Sequence, residues 1–268
     1  FDVSILFSDI LYILEALGLE LKFDPGPQFK EYLTYENYER LNNIENVEEH
    51  MQFQQRAIKI TREKLPKDKS LIGFVGGFWT VMRFAIGQNK EQKQFQNFYH
   101  EFIKNILYEA LNINIKLQLD AGAEIVMMFD SGIQDLDNNF FKKEYTNLLK
   151  SIANLYPNKI GYYIRGKQFN DIKHLLELPF AGVGIDSSMN LKNLFTDFNH
   201  GFIQGNFDEK KLLLDTQHLT KELVKFSDYC NSFENLNGWV CGLGHGINKN
   251  TPEKNVHLFI ETIRKKFK

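Results

Sequence analysis

Short apolar segments, each closed by polar or glycine residues, alternate along this chain with longer segments of helical periodicity. Apolar runs of this length that are rich in Val, Ile and Phe are typical of strands buried on both faces of a parallel sheet. Helices between such strands imply parallel pairing through right-handed crossovers. The alternation therefore places the chain in the α/β class.

Seven segments are predicted to be strands, at residues 2–10, 71–75, 124–129, 160–164, 181–185, 201–204 and 238–242. We interpret them as a (β/α)8 TIM barrel, with residues 1–268 as one domain. A full barrel has eight strands, and the chain opens in a strand without an initiator Met. We therefore expect the first β/α unit upstream of Phe1. An open doubly wound sheet is the weaker alternative, because no G-x-G-x-x-G turn follows any strand.

The intervening segments are predicted to be helical at residues 10–17, 48–65, 78–86, 91–115, 139–155, 169–178, 208–226 and 252–266. Apolar residues make up 43% of the chain and charged residues 25%, as in ordinary globular proteins. The net charge of -2 argues against a broad nucleic-acid surface.

Nothing in the sequence indicates export or membrane insertion. No apolar stretch is long enough to cross a bilayer, and no signal peptide opens the chain. Two cysteines, Cys230 and Cys241, make a disulfide framework improbable and fit a reducing compartment. We expect a cytoplasmic protein without a membrane partner.

Gly76-Gly77 follow the second predicted strand, and polar residues stand at the ends of the other six. They are Asp9, Asp130, Ser131, Arg165, Lys167, Asp186, Gln204, Asn206 and His245. The carboxyl ends of the strands of a parallel barrel meet at one rim, where barrel enzymes keep their active sites. Each residue also has an ordinary structural interpretation: the acids and the serine as helix caps or turn residues, and the lone histidine as a satisfied structural residue.

Six motifs carry a resemblance that covers the chain from residue 2 to the last predicted helix. They are Ile5-Leu-Phe-Ser-Asp-Ile-Leu11, Leu71-Ile-Gly-Phe-Val-Gly-Gly-Phe-Trp-Thr80, Phe129-Asp-Ser131, Gly184-Ile-Asp186, Gln204-Gly-Asn-Phe-Asp208 and Gly242-Leu-Gly-His-Gly246. In order and spacing they resemble the uroporphyrinogen decarboxylase family.

The resemblance implies a cofactor-free, metal-free barrel enzyme of haem and tetrapyrrole biosynthesis, usually a homodimer. Such an enzyme converts the four acetate side chains of uroporphyrinogen III to methyl groups, giving coproporphyrinogen III. By the same resemblance, Asp9 accepts hydrogen bonds from the pyrrole N–H groups at the centre of the macrocycle. Ser131 and His245 contact a substrate carboxylate, and Phe74 forms an apolar wall of the cleft.

The sequence differs from the family pattern at two positions, which limits how far the family's residue roles apply to this chain. Phe84 replaces the family's substrate-binding Tyr, and Phe78 replaces the Pro that usually precedes the Trp. The family's Met-Arg-Gln-Ala-Gly-Arg-Tyr segment, whose arginines hold substrate carboxylates, does not occur in this chain. The candidate cations at the rim are then Arg83, Arg165 and Lys167.

Two other functions stay open. One is a zinc-dependent corrinoid or thiol methyltransferase on the same barrel, whose relatives carry a His-x-Cys pair that this sequence lacks. The other is a catalytically impaired binding fragment or paralogue, supported by Phe84 and by the start of the chain inside a strand.

Overall fold

A computed structural model of the chain describes residues 3–41, 43–87, 99–198 and 200–267. Seven strands form one sheet in the order β1-β4-β5-β6-β7-β8-β9, and every neighbouring pair is parallel. These strands are β1 Val3–Ile5, β4 Ser70–Gly76, β5 Ile125–Asp130, β6 Ile160–Ile164, β7 Gly182–Ile185, β8 Phe202–Phe207 and β9 Trp239–Leu243. The predicted α/β class and the seven parallel strands are confirmed.

Helices follow the strands along the chain. They are α1 Tyr12–Ala16, α2 Ile44–His50, α3 Gln52–Lys64, α4 Phe78–Ile86, α5 Tyr108–Asp120, α6 Asn138–Phe140, α7 Thr146–Leu155, α8 Phe169–Ile172, α9 Leu191–Asp197, α10 Thr216–Asn231 and α11 Glu253–Lys266. A π-helical stretch, Tyr99–Leu107, runs directly into α5, and a second one, Phe141–Tyr145, runs into α7.

The sheet buries both of its faces, as the near-continuous apolar strands predict. In β5, Val126 and Met128 belong to the large core between the sheet and the helices. Ile125, Met127 and Phe129 alternate with them and pack in a smaller cluster on the inner face. This alternation follows from the two-residue period of a strand. It determines which side chains can reach a ligand on the inner face.

The sheet curls around its inner face. The Tyr163 hydroxyl in β6 donates a hydrogen bond to the Gly244 carbonyl just after β9, at 2.6 Å. Two strands lie between β6 and β9, so in a flat sheet their axes would be about 14 Å apart. Only a curved wall brings one tyrosine side chain across that gap. This curvature is that of the predicted barrel.

Several predicted boundaries are corrected. The segment 48–65 is divided between α2 and α3, and the segment predicted as helix 208–226 is a 3₁₀ turn, Glu209–Leu213, followed by α10. The antiparallel hairpin β2 Leu21–Phe23 and β3 Pro27–Phe29 was not predicted, and neither was α9. Of the segment 91–115, residues 91–98 lie outside the described residues, and the helix continues to Asp120.

In the described part of the chain, no helix is both long enough and apolar enough to cross a membrane.

Candidate active site

A row of five rings crosses the inner face of the curled sheet: Phe7, Phe74, Phe129, Tyr163 and His245. Successive ring centroids are 5.9, 5.8, 5.6 and 6.3 Å apart. Phe74, Phe129 and Tyr163 come from the neighbouring strands β4, β5 and β6. We call these five residues the aromatic row. Its rings are mostly tilted or edge-on to one another, so it offers an apolar surface to a ligand built of several separate rings.

A cavity of about 430 Å³ lies at the His245 end of the aromatic row. Its lining is Phe129, Ser131, Tyr163, Ile185, Gln204, Leu243, His245 and Gly246. Ser131 and His245 are therefore brought to one cavity, as expected for residues that follow strands of one parallel sheet. Tyr163 and Gln204 also line the cavity, although sequence reasoning did not single out Tyr163. Alternate residues of a strand face opposite sides of the sheet, and this alternation is what could have identified Tyr163 as a residue of the inner face.

His245 is held by a network that assigns its tautomer. The Tyr163 hydroxyl donates to Gly244, so its oxygen is free to accept from His245 Nδ1 at 3.3 Å. Arg165 Nη1 lies 3.2 Å from His245 Nε2, and a guanidinium only donates, so Nε2 must accept. Burial first, and then the Arg165 charge, lower the pKa of His245, while Glu209 and Asp186 act weakly in the opposite direction. His245 is thus a neutral imidazole with its proton on Nδ1.

Asp9 lies at the opposite end of the aromatic row. It lines a second cavity of about 450 Å³ with Phe7, Ser8, Tyr12, Phe23 and Phe53. Its Oδ1 accepts a hydrogen bond from the Leu11 backbone N–H at 2.8 Å. Asp9 is not in the lining of the first cavity, and the aromatic row runs between Asp9 and His245.

Phe74 and Phe84 occupy different layers. Phe74 is 6% exposed and sits in the middle of the aromatic row, between the two cavities. Phe84 lies in α4, half-buried against the large core outside the sheet, and it lines neither cavity. The position where the family has a Tyr therefore carries an apolar ring on the helical side of the sheet.

A buried polar network lies directly behind Ser131. The Asp130 side chain points outward from β5 and accepts hydrogen bonds from Thr80 N, Thr80 Oγ1, the Tyr162 hydroxyl and the Tyr145 hydroxyl. Gly132 N donates to Thr80 Oγ1 at 2.9 Å, which closes the link to the turn that carries Ser131. Burial is the largest influence on the Asp130 pKa and raises it, although the hydrogen bonds oppose that shift.

Asp130 supplies the cap that α4 lacks. Gly77, the residue before α4, has no side chain to accept from the first turn, and Asp130 accepts the Thr80 N–H instead. A Cβ at Gly77 would lie 2.2 Å from Asp130 Cγ, so only glycine fits there. Asp130 makes no cap hydrogen bond to the 3₁₀ turn that follows it, Ser131–Asp135, so the expected local cap is wrong, and its carboxylate caps α4 through Thr80, 50 positions earlier in the chain.

Within the described residues, no three His, Cys, Asp or Glu side chains are arranged to hold a metal ion. Burial raises the pKa of the Cys241 thiol to about 12, which works against the thiolate form that binds zinc. His245 is engaged by Arg165 at Nε2. These residues do not fit the zinc site of the methyltransferase alternative.

The sequence comparisons agree on one family. The family model described as uroporphyrinogen decarboxylase (URO-D) matches residues 1–266. The chain is 31% identical over 280 residues to the uroporphyrinogen decarboxylase of Orientia tsutsugamushi (strain Ikeda), and the match covers 98% of this chain and 80% of that protein. It is 32% identical over 279 residues to the uroporphyrinogen decarboxylase of Rickettsia bellii (strain RML369-C), with the same two coverages.

Solved structures share the fold at lower identity. A methyltransferase from Methanosarcina mazei aligns with a TM-score of 0.70 and 17% identity over 100% of this chain and 81% of its own. A B12-independent methionine synthase from Shewanella sp. W3-18-1 aligns with a TM-score of 0.54 and 10% identity, over 78% of this chain and 64% of its own. At these identities the similarity concerns the barrel alone.

Proposed function

Since this chain belongs to the uroporphyrinogen decarboxylase family, we propose that it removes CO2 from the acetate side chains of uroporphyrinogen III to give coproporphyrinogen III. The reaction makes it a carboxy-lyase of haem and tetrapyrrole biosynthesis that needs no cofactor. The observation that carries the proposal is the family match over residues 1–266. The aromatic row, with a carboxylate at one end and polar groups at the other, supports it.

The shape of the inner face suits such a substrate. A porphyrinogen has four pyrrole rings with apolar faces and a fringe of carboxylates. The rings would lie on the aromatic row, where burial of apolar surface contributes about 25 cal/mol per Å². The carboxylates would extend toward Ser131 and His245 at one end. The macrocycle would then be centred near Asp9, and one carboxylate arm would extend along the aromatic row into the cavity of Ser131 and His245.

Asp9 would be the central catalytic group. A carboxylate only accepts hydrogen bonds, so it suits the inward-pointing pyrrole N–H groups. Its Oδ1 is engaged by Leu11, so Oδ2 would face the substrate. When a pyrrole carbon next to the acetate arm is protonated, positive charge develops on the ring, and a fixed carboxylate stabilises that charge. Loss of CO2 then returns the electrons of the broken C–C bond to the ring system. Protonation of the exocyclic carbon and release of the proton from the ring carbon leave a methyl group on a neutral pyrrole.

Ser131 would donate to a substrate carboxylate, and His245 would line the same cavity without donating to it, because both of its ring nitrogens already have partners. The Ser131 hydroxyl is a donor at the cavity wall. Phe74 would pack under a pyrrole ring in the middle of the aromatic row. Phe84 would not contact the substrate, because its ring packs on the helical side of the sheet and lines neither cavity.

Assembly and compartment are part of the same proposal. We expect one domain over residues 1–268, a homodimer as is usual in the family, and a cytoplasmic location. Cys230 and Cys241 are free thiols, which fits a reducing compartment. Light scattering coupled to size-exclusion chromatography measures the molar mass in solution, and the mass of a monomer would contradict the proposed homodimer.

The test is anaerobic incubation of the protein with uroporphyrinogen III, followed by chromatography of the oxidised products. We expect the intermediates and coproporphyrin III from the wild type. Asp9→Asn keeps the size of the side chain and an oxygen for Leu11 but loses the charge, so we expect kcat to fall about 10²–10³-fold. The matched control is Asp68→Asn, at a carboxylate whose side chain is 73% exposed. Unchanged turnover in Asp9→Asn would contradict the role of Asp9, and an inactive wild type would contradict the function.

A further inference from the structure

Three cations were candidates for binding substrate carboxylates, and two of them already have other partners. Arg83 Nη1 contacts Asp135 Oδ2 at 2.5 Å, so its charge is neutralised within the protein. Lys167 is 3% exposed, and its ammonium donates to the Leu136 carbonyl and to Asn138 Oδ1. Neither cation is free to face a ligand on the inner side of the sheet.

Arg165 is different. In the described part of the chain, no carboxylate oxygen lies within ion-pair distance of its guanidinium, and its hydrogen-bond partner is the neutral imidazole of His245. The nearby acid Asp186 is occupied, since its oxygens accept from Gly166 N at 2.6 Å and from Ser188 N at 2.9 Å. Arg165 is only partly exposed. A half-buried cation without an anionic partner is unfavourable in the empty site and favours an anionic ligand.

The network around His245 also fixes the direction of the guanidinium. Tyr163 and His245 are stacked at 14° with their centroids 6.3 Å apart, and Tyr163 is anchored on Gly244. His245 Nε2 therefore has a defined position, and it engages Nη1 of Arg165. A guanidinium has five N–H groups in a planar fork, so one bond to His245 leaves an edge for a bidentate carboxylate.

We propose that Arg165 and His245 together form a carboxylate-binding subsite at the edge of the 430 Å³ cavity. Arg165 supplies the positive charge and the bidentate edge, and His245 orients it. The inference deepens the proposed function, on which it rests: the bound group is a side-chain carboxylate of the tetrapyrrole. Ser131 lines the same cavity and would add a neutral donor.

Two measurements on the 268-residue chain test the subsite. The first is the KM and kcat for uroporphyrinogen III of Arg165→Gln, Arg165→Lys and the control Arg56→Gln, an exposed arginine in α3. The second follows the His245 ring resonances by NMR while benzenehexacarboxylate, an unreactive aromatic polycarboxylate, is titrated in. This second measurement does not depend on turnover.

We expect Arg165→Gln to raise KM about 10- to 100-fold with a smaller change in kcat, as for loss of a charge-assisted hydrogen bond. Arg165→Lys should recover part of the loss, because it keeps the charge without the fork. The probe should shift the His245 resonances in the wild type and in Arg56→Gln, and only weakly in Arg165→Gln.

Equal probe affinity in Arg165→Gln and wild type would overturn the subsite, and so would an unchanged KM. If the wild type does not decarboxylate uroporphyrinogen III but the probe still binds in an Arg165-dependent way, the proposed function fails and the carboxylate subsite stands. Thermal unfolding of each variant identifies a change caused by misfolding, and Arg165→Lys then provides the comparison.

Discussion

Replacing Asp130 by Ala should be among the most destabilising changes in this chain. The Asp130 carboxylate is 0% exposed and accepts from four donors: two on Thr80 and the hydroxyls of Tyr145 and Tyr162. A buried donor left without an acceptor costs about 1–3 kcal/mol. The hydroxyls can rotate toward one another, so the four losses do not add fully. We expect a decrease of about 3–5 kcal/mol in the free energy of unfolding, much of the total for an ordinary domain.

Asp130→Asn keeps the volume of the side chain and changes only its charge and its hydrogen bonds. The Asn oxygen can still accept from Thr80, and the amide can donate to a rotated tyrosine hydroxyl. It also removes a buried charge, whose desolvation raises the pKa of Asp130. We expect a loss of about 1–2 kcal/mol, well below that of Ala.

Urea unfolding followed by circular dichroism measures both variants, with the slope m checked for constancy. Asp68→Ala, at an exposed aspartate, is the control and should change stability by less than about 0.5 kcal/mol. A loss below about 1 kcal/mol in Asp130→Ala, or an equal loss in Asn and Ala, would refute the claim that this network holds α4 to the sheet.

Three further predictions concern Gly77, Phe84 and the partly buried histidines. Gly77→Ala places a Cβ 2.2 Å from Asp130 Cγ, so it should cost about 1–3 kcal/mol by overpacking in urea unfolding, and a neutral result would mean that α4 can shift. Phe84→Tyr should leave kcat/KM for uroporphyrinogen III within about twofold, because position 84 lines neither cavity, and a gain of about tenfold would place it at the binding surface. Burial lowers the pKa of His174 and that of His245, so the unfolded chain binds more protons near pH 6.5 and below. The free energy of unfolding should therefore fall as the pH drops through about 6.5, less steeply in His174→Gln, and an equal slope in that variant would contradict the assignment.

The sequence by itself determined the fold class and the strands of the sheet. Strand β6 was predicted with its observed bounds, because a strand buried on both faces is written as a continuous apolar run between polar residues. The hairpin of β2 and β3 and helix α9 were missed. The hairpin strands have three residues each, and α9 buries only Leu191 and Leu194, so neither shows a period long enough to detect.

The sequence also determined that Ser131 and His245 meet at one cavity, since parallel strands end at one edge. The tertiary structure alone decided what each polar residue touches. Curvature brings Tyr163 and Arg165 to His245 across about eighty positions of sequence, and the packing of α4 on the sheet brings Thr80 to Asp130 across 50 positions. The physical reason is that a strand pattern specifies which face a side chain points to. Only the curvature of the sheet specifies which distant side chain comes to lie opposite that residue.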